Sequence, residues 1–183
     1  MIYVLFPSTP ERKERLAVAM ESIRNSICDQ EIEIKVDISE GEGANKPTLR
    51  LINSVDGLVI CLGDDSTVEP DTIQKLYNAY IREFPDQDGM CSPPNCDNFL
   101  AHSNTMRKYW HPDYIHLYAD RDFFDTMTFK KKVFRVLDAV IHHNHYTKNA
   151  TLDDDTYRFG EKNREADRIL YEKRRARNFN LDL

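Results

Sequence analysis

Two short runs of consecutive apolar residues constrain the fold of this chain more than any other feature. One is Ile2-Tyr3-Val4-Leu5-Phe6, and the other is Gly57-Leu58-Val59-Ile60-Cys61-Leu62. Neither run alternates apolar with polar residues, which is typical of strands that are covered on both faces in a parallel sheet. The two runs therefore predict an α/β fold with a mostly parallel central sheet flanked by helices.

The segments that follow these runs predict alternating helices and strands. In the first half we expect a helix from about Pro10 to Ser26, a half-buried strand over Ile32–Ile38, a helix over Pro47–Asn53 and a helix that starts at Pro70. Ser8 and Glu11 have the spacing of a capping box ahead of the first helix. The order is thus β-α-β-α-β-α, which is typical of a parallel sheet.

The second half is less regular. Here we expect a short strand at Gly89–Ser92, a helix over Asp122–Lys132, strands over Val133–Asp138 and Ala139–His145, and a charged surface helix or tail over Arg158–Arg177. The 183 residues correspond to one domain, since domains usually have roughly 100–200 residues.

Composition excludes several classes of function. The formal net charge is −6, which argues against a protein that coats nucleic acid, although a local basic cluster stands at Lys173–Arg177. No stretch approaches the roughly 20 apolar residues of a membrane span, and no secretory signal opens the chain. The cysteines match no zinc-ligand spacing, so we expect reduced thiols and a cytoplasmic protein, with peripheral membrane contact left open. They are Cys28, Cys61, Cys91 and Cys96.

The pair Asp64-Asp65 ends the second apolar run. Ligands of open α/β sheets bind beyond the carboxyl ends of the strands. Two adjacent carboxylates there would repel each other, and a divalent cation would remove that repulsion. Mg²⁺ or Mn²⁺ prefers carboxylate oxygens and takes its remaining ligands from water and substrate phosphates. The alternative is a polar turn in which Asp64 or Ser66 caps a helix.

Two further groups of side chains carry possible chemistry. Asp120 and Asp122 precede a predicted helix, so they are either a general base with its supporting carboxylate or helix caps. His143 and His145 project from one face of a predicted strand, as metal ligands or as structural histidines.

The order of these features resembles the family 2-like glycosyltransferases with a GT-A fold, over nearly the whole chain. Pro7-Ser8-Thr9 with Arg12 is similar to the strand end that lines the family's nucleotide pocket. Gly63-Asp64-Asp65-Ser66 resembles the Asp-x-Asp metal motif, and Ala119-Asp120-Arg121-Asp122-Phe123 resembles the Glu-Asp-x-Asp-Leu segment. Asp153-Asp154-Asp155 with Tyr157, and Asp167, Tyr171 and Arg174-Arg175 downstream, also fit the pattern.

This resemblance implies a metal-dependent, inverting transfer of a sugar from a nucleoside diphosphate sugar, and in particular a UDP-sugar, to an acceptor hydroxyl. It implies one GT-A-like domain over residues 1–183, with a nucleotide-binding half (1–66), an acceptor and catalytic half (67–157) and a charged C-terminal helix or tail (158–183). A glycan or lipid acceptor is favoured over nucleic acid. The implied cofactor is Mn²⁺ or Mg²⁺.

The resemblance also assigns residues. Asp120 is the implied base, and Asp65 with His143 the implied metal ligands. The implied contacts of the nucleotide sugar are Pro7, Ser8, Thr9, Arg12, Asp37, Lys46 and Asp64, of which Lys46 is otherwise a solvated lysine. Residues that would contact the acceptor or support the site are Trp110, Asp122 and His145, and Trp110 is otherwise part of the core.

Two departures keep other functions open. Gly63 stands where the family has an Asp, and Ala119 stands where it has an acidic residue before the base. They are compatible with a non-catalytic nucleotide- or sugar-binding module. A nucleotide-sugar hydrolase differs only in its acceptor, which is water. A nucleotidyltransferase is disfavoured, because the first strand is not followed by a Gly-rich phosphate loop.

Overall fold

A computed structural model describes residues 1–94, 98–144 and 154–179 of the chain. Three residues singled out above, Cys96, His145 and Asp153, lie outside these ranges. The strands of the described part are β1 (Ile2–Ser8), β2 (Ile32–Ile38), β3 (Leu58–Cys61), β4 (Ser66–Val68), β5 (Met90–Ser92), β6 (Leu100–His102), β7 (Val133–Arg135) and β8 (Ile141–His143). The helices there are a 3₁₀ turn (Pro10–Arg12), α1 (Lys13–Arg24), α2 (Asn45–Asn53), α3 (Thr72–Glu83), α4 (Ser103–Tyr109), α5 (Ala119–Phe129) and α6 (Asp155–Ala176).

The central sheet has the strand order β2-β1-β3-β6-β5-β7. Strand β1 pairs in parallel with β2 and with β3, and β5 pairs in parallel with β7. Only β6, among the strands of this sheet in the described residues, runs antiparallel to its neighbours. The predicted α/β fold with a mostly parallel central sheet and flanking helices is therefore confirmed.

Both faces of the sheet are covered, which explains the uninterrupted apolar runs. Val4 and Phe6 pack on one face in a cluster that contains residues of α1 and α3. Leu5 points to the other face, into a cluster that contains Leu51 of α2 and Phe123 of α5. Val4, Leu5 and Phe6 are all completely buried.

The ends of several elements differ from the predictions. The expected capping box does not form: Ser8 is the last residue of β1 and donates its hydroxyl to Asp64, and Thr9 makes no side-chain cap to the helix that follows. Helix α5 starts at Ala119, three residues earlier than the Asp122 start that was expected.

The last two strands and the last helix also differ. Strands β7 and β8 are shorter than predicted, and β8 leaves the central sheet to pair antiparallel with β4. The prediction of a charged surface helix or tail over Arg158–Arg177 is wrong for three positions, because α6 buries Gly160, Asp167 and Arg174 against the body of the protein. Tyr157, one residue before the predicted range, is buried on the same helix.

No helix in the described part of the chain has both the length and the apolar character that crossing a membrane requires. The thiols of Cys28, Cys61 and Cys91 are free.

Candidate functional site

A cavity of about 1290 Å³ opens at the carboxyl ends of β1 and β3. This is where an open α/β sheet is expected to bind its ligand. The cavity wall brings together residues that are far apart in the sequence. The sequence-predicted residues in this wall are Pro7, Ser8, Thr9, Arg12, Asp64, Asp65, Trp110, Asp120 and His143.

Asp64 is buried in this wall, with a relative exposure of 3%. Its Oδ2 accepts a hydrogen bond from the Ser8 hydroxyl at 2.5 Å, and its Oδ1 accepts one from Arg12 Nη1 at 2.8 Å. Burial raises the pKa of Asp64, and the charge of Asp65 adds to that shift, while Arg12 and Ser8 oppose it. Asp64, which follows β3, is thus hydrogen-bonded to the last residue of β1 and to the 3₁₀ turn after that strand.

Arg12 connects Asp64 to the start of α6. Its Nε and Nη2 each donate to Asp154 at 2.9 Å, and Arg15 donates to the same carboxylate at 2.7 Å. Arg12 is only 6% exposed, so these ion pairs lie in a low-dielectric environment where charged hydrogen bonds are strong. Arg12 therefore holds the two carboxylates, and with them the first turn of α6, beside the cavity.

Asp65 lies beside His143 and Tyr157. His143 Nε2 is 3.3 Å from Asp65 Oδ1, and the Tyr157 hydroxyl donates to Asp65 Oδ2 at 2.5 Å. The pairing of Ser66 with His143 across β4 and β8 produces this contact. Burial opposes ionisation of Asp65, but His143, Tyr157 and Arg12 outweigh it and hold the pKa of Asp65 below its ordinary value. The alternative of a helix cap is wrong for Asp64 and Ser66, because strand β4 and not a helix begins at Ser66.

The donor chemistry of Asp65 and His143 fits a divalent cation that is shared with a substrate. One carboxylate oxygen and one imidazole nitrogen adjoin each other in the cavity wall. Within the described ranges, no three His, Cys, Asp or Glu side chains converge on one point. These donors therefore suit a cation that completes its coordination with phosphate oxygens and water, as Mg²⁺ and Mn²⁺ commonly do, rather than one enclosed by protein.

Asp120 lies in the first turn of α5, with its side chain exposed to the cavity. Its Oδ1 accepts a hydrogen bond from the Arg121 backbone N–H at 2.8 Å. Burial raises the pKa of the Cys61 thiol at the end of β3, and the nearby charge of Asp120 adds to that shift. Tyr118 has a φ of 67°, a left-handed conformation that is rare outside glycine and that aims the chain into α5.

Asp122 points away from the cavity. It is completely buried and accepts hydrogen bonds from Arg174 and from the Tyr114 hydroxyl. It is absent from the cavity wall, so its contacts in this structure are with the core and not with an acceptor site.

Asp37 and Lys46 also lie outside the cavity wall. The Asp37 carboxylate binds Arg50 at 2.7 Å and the Ser39 hydroxyl at 2.5 Å, and the Arg50 hydrogen bond lowers the pKa of Asp37. Lys46 is exposed in the first turn of α2. The nucleotide contacts that the resemblance implied for these two residues are therefore not part of this cavity.

Trp110 belongs to both the core and the cavity wall. It is 7% exposed, and its indole N–H donates to Asn45 Oδ1 at 2.7 Å. Its ring centroid lies 5.8 Å from that of Phe123 and 6.4 Å from that of Phe99. The packed ring presents only a small surface to a ligand.

Helix α6 and the loop before α5 supply wall residues whose roles the sequence did not indicate. They are Leu117, Tyr118, Phe159, Gly160, Glu161 and Arg164, and they adjoin Tyr157 and His116, which also line the wall. His116 Nδ1 accepts the Ala44 backbone N–H at 3.1 Å, and burial and the charge of Arg12 lower the pKa of His116. A Cβ at Gly160 would lie 2.6 Å from the His116 ring, so this helix position needs glycine. The close approach of Gly160 to His116 had no counterpart in the sequence pattern.

Comparison with known proteins shows similarity at the level of structure. No protein-family model and no curated protein sequence matches the chain. The structure of S. aureus TarS 1-349 in complex with UDP-GlcNAc matches with a TM-score of 0.60 and 11% identity, over 87% of this chain and 64% of that chain. The complex of TarS 1-349 with UDP gives a TM-score of 0.58 at 11% identity, over 75% of this chain and 58% of that chain.

A longer S. aureus TarS structure matches with the same TM-score of 0.58, over 75% of this chain and 35% of that chain. The chain thus spans between 35% and 64% of the length of these structures. At 11% identity such a likeness shows the fold alone. The chain has the mixed α/β, GT-A-like fold of glycosyltransferases such as TarS.

Proposed function

We propose that this protein is a metal-dependent glycosyltransferase that moves a sugar from a nucleoside diphosphate sugar, and specifically a UDP-sugar, to an acceptor hydroxyl. The observation that carries the proposal is the convergence of Asp64, Asp65, His143 and Asp120 on one cavity at the carboxyl ends of β1 and β3. The similarity to TarS structures that contain UDP and UDP-GlcNAc supports the donor class.

We assign nucleotide binding and cation binding to two different parts of the cavity wall. Ser8, Arg12 and Asp64 form a rigid, hydrogen-bonded floor on the side of β1 and β3, where we place the nucleotide. Asp65 and His143 would hold Mn²⁺ or Mg²⁺, which would act as a Lewis acid that stabilises the charge developing on the diphosphate leaving group.

Asp120 is the proposed general base. Its carboxylate is exposed at the N-terminus of α5 and lines the cavity, whereas Asp64 and Asp122 are buried and pair with Arg12 and Arg174. It would accept the proton of the acceptor hydroxyl while the hydroxyl oxygen attacks the anomeric carbon opposite the leaving diphosphate. In-line attack by that oxygen inverts the anomeric centre. Such a base contributes about 10²–10⁴-fold to the rate.

The first experiment measures ligand binding. The melting temperature of the chain is recorded with UDP and with a panel of UDP-sugars, each with and without Mn²⁺, because a ligand that binds the folded state raises it. Asp65→Asn should lower the Mn²⁺-dependent part of the shift. Absence of any shift in the wild-type chain with every nucleotide would contradict the proposed donor class.

The second experiment measures turnover. Donor consumption and sugar transfer to glycan and lipid acceptors are followed for wild type, for Asp120→Asn and for Asp113→Asn, an exposed aspartate outside the cavity wall. Asp120→Asn should bind the donor and lose transfer, while Asp113→Asn should behave as wild type. Full activity of Asp120→Asn would refute the assignment of the base. Binding without turnover would indicate a binding module, and release of sugar to water would indicate a hydrolase.

A further inference from the structure

We infer that Tyr157 is a positioning residue for the cation site: its hydroxyl orients the Asp65 carboxylate so that one oxygen stays beside His143 and faces the bound cation. This inference rests on the proposed function, because it concerns the cation that we place on Asp65 and His143.

The two carboxylate oxygens of Asp65 have different neighbours. Tyr157 donates to Oδ2 at 2.5 Å, while Oδ1 lies 3.3 Å from His143 Nε2. A carboxylate that is bonded at one oxygen cannot rotate freely about its last side-chain torsion. Oδ1 and the imidazole are therefore presented side by side to the cavity.

The Tyr157 ring is itself held in place by α6 and Arg12. Asp154 caps α6 by accepting the Tyr157 backbone N–H at 3.1 Å, and the same carboxylate pairs with Arg12 and Arg15. The Arg12 guanidinium carbon lies 4.1 Å from the centroid of the Tyr157 ring, within the range of a cation–π contact. The ring is 7% exposed. The hydroxyl thus reaches Asp65 from a fixed support rather than from a mobile side chain.

Partners that hydrogen-bond to a ligating carboxylate tune metal affinity without touching the metal. Loss of such a partner typically weakens metal binding by about 10–100-fold. Tyr157 lies 92 positions after Asp65 in the sequence and bonds to it from α6. The helix that lines the cavity therefore also orients Asp65, a proposed metal ligand.

The test compares two tyrosine-to-phenylalanine variants of the full chain. Tyr157→Phe removes only the hydroxyl and keeps the ring on Arg12. Tyr171→Phe is the matched control, because the Tyr171 hydroxyl also donates to an aspartate, Asp125, and neither residue lies in the cavity wall. Mn²⁺ is titrated into each protein at a fixed UDP concentration, and free Mn²⁺ is followed by its electron paramagnetic resonance signal.

We expect the Mn²⁺ Kd of Tyr157→Phe to rise by about 10–100-fold and that of Tyr171→Phe to stay at the wild-type value. Melting curves confirm that both variants are folded, and Asp65→Asn gives the reference for loss of the carboxylate ligand. A wild-type Mn²⁺ Kd in Tyr157→Phe would overturn the inference, and so would a lower Kd, which would mean that the hydroxyl competes with the cation. A wild-type chain that binds no Mn²⁺ would instead overturn the metal dependence in the proposed function, and the inference with it.

Discussion

Arg174 and Asp122 form a bidentate ion pair from which solvent is excluded. Arg174 Nε donates to Asp122 Oδ2 at 2.7 Å and Nη2 donates to Oδ1 at 3.1 Å, and the two side chains are 1% and 0% exposed. The pair joins the last turns of α6 to the first turn of α5, which carries Asp120. Helix α6 is therefore part of the framework of the site and not a separate tail.

Removing the arginine of this pair should destabilise the protein strongly. In Arg174→Met the Asp122 carboxylate stays buried and keeps the hydrogen bond from the Tyr114 hydroxyl but loses its cationic partner, and such changes cost about 3–5 kcal/mol. Denaturant unfolding measures the free energy of unfolding. Arg175→Met, at the exposed neighbouring position, is the control and should stay within about 0.5 kcal/mol of wild type. Equal stability of the two variants would contradict a structural role for the pair.

A second prediction concerns Asp167, which holds the loop before α5. Its carboxylate accepts the backbone N–H groups of Ile115, His116 and Leu117 at 2.8, 2.9 and 2.8 Å, and it is 1% exposed. In Asp167→Asn the amide keeps only one acceptor oxygen. At least one of these partly buried N–H groups then lacks its partner, which costs about 1 kcal/mol in the free energy of unfolding, at the lower end of the range for a buried group.

Chemical denaturation of Asp167→Asn and of Glu165→Gln separates this role from a general effect of charge on α6. Glu165 is exposed and pairs with Arg168 on the surface, where ion pairs contribute little, so its replacement should leave the free energy of unfolding close to the wild-type value. If Asp167→Asn were as stable as Glu165→Gln, the three backbone hydrogen bonds would not be holding the loop.

The architecture of the sheet was predictable because the pattern of β1 and β3 is local. Val4, Leu5 and Phe6 are buried on alternate faces, and a strand buried on both faces has to be apolar throughout. The position of Asp65 followed from the same logic, since it lies in the turn after β3, four residues beyond Cys61. The proximity of Asp65 to His143 was implied by the family resemblance alone, and in the structure it depends on the pairing of β4 with β8.

The role of α6 was not predictable from local pattern. Its sequence is dominated by charged residues, and Arg174 stands in a basic run that is typical of a solvated helix face. Burial of Arg174 depends on Asp122, 52 positions earlier, and burial of Asp167 depends on three backbone N–H groups that carry no sequence signal. For the same reason, the sequence did not show whether the Asp122 side chain points into the core or supports Asp120 in the cavity.

A third prediction concerns pH. Burial and the positive charge of Arg12 hold the pKa of His116 below its ordinary value of about 6.5. The unfolded chain therefore binds a proton at this residue at a pH where the folded chain does not, and the free energy of unfolding should fall as the pH drops below about 6.5 toward the folded-state pKa. The slope from this one group is at most about 1.4 kcal/mol per pH unit.

His116→Asn tests this origin of the pH dependence. The Asn Oδ1 lies close to the position of the imidazole Nδ1 and can accept the Ala44 N–H without titrating. The slope of stability between pH 7 and pH 5 should therefore become shallower, while stability at pH 8 should change little. Burial also lowers the pKa of His102 and His111, which remain in the variant, so part of the slope should persist. An unchanged slope would show that His116 is not the group responsible.

The last prediction explains why glycine stands at position 63, ahead of the two aspartates. A Cβ built on Gly63 would lie 2.5 Å from Asp65 Oδ1, closer than side-chain carbons approach oxygens. That carboxylate cannot simply move aside, because Tyr157 and His143 hold its two oxygens. Gly63→Ala should therefore displace Asp65 and weaken Mn²⁺-dependent UDP binding on the order of 10-fold, as loss of a ligand's support does. Calorimetric titration of UDP in Mn²⁺ measures this, with Thr67→Ala on β4 and outside the cavity wall as the control that should bind as wild type does. Wild-type affinity in Gly63→Ala would mean that the site accommodates a side chain there, and that the glycine at position 63 has a cause other than the space beside Asp65.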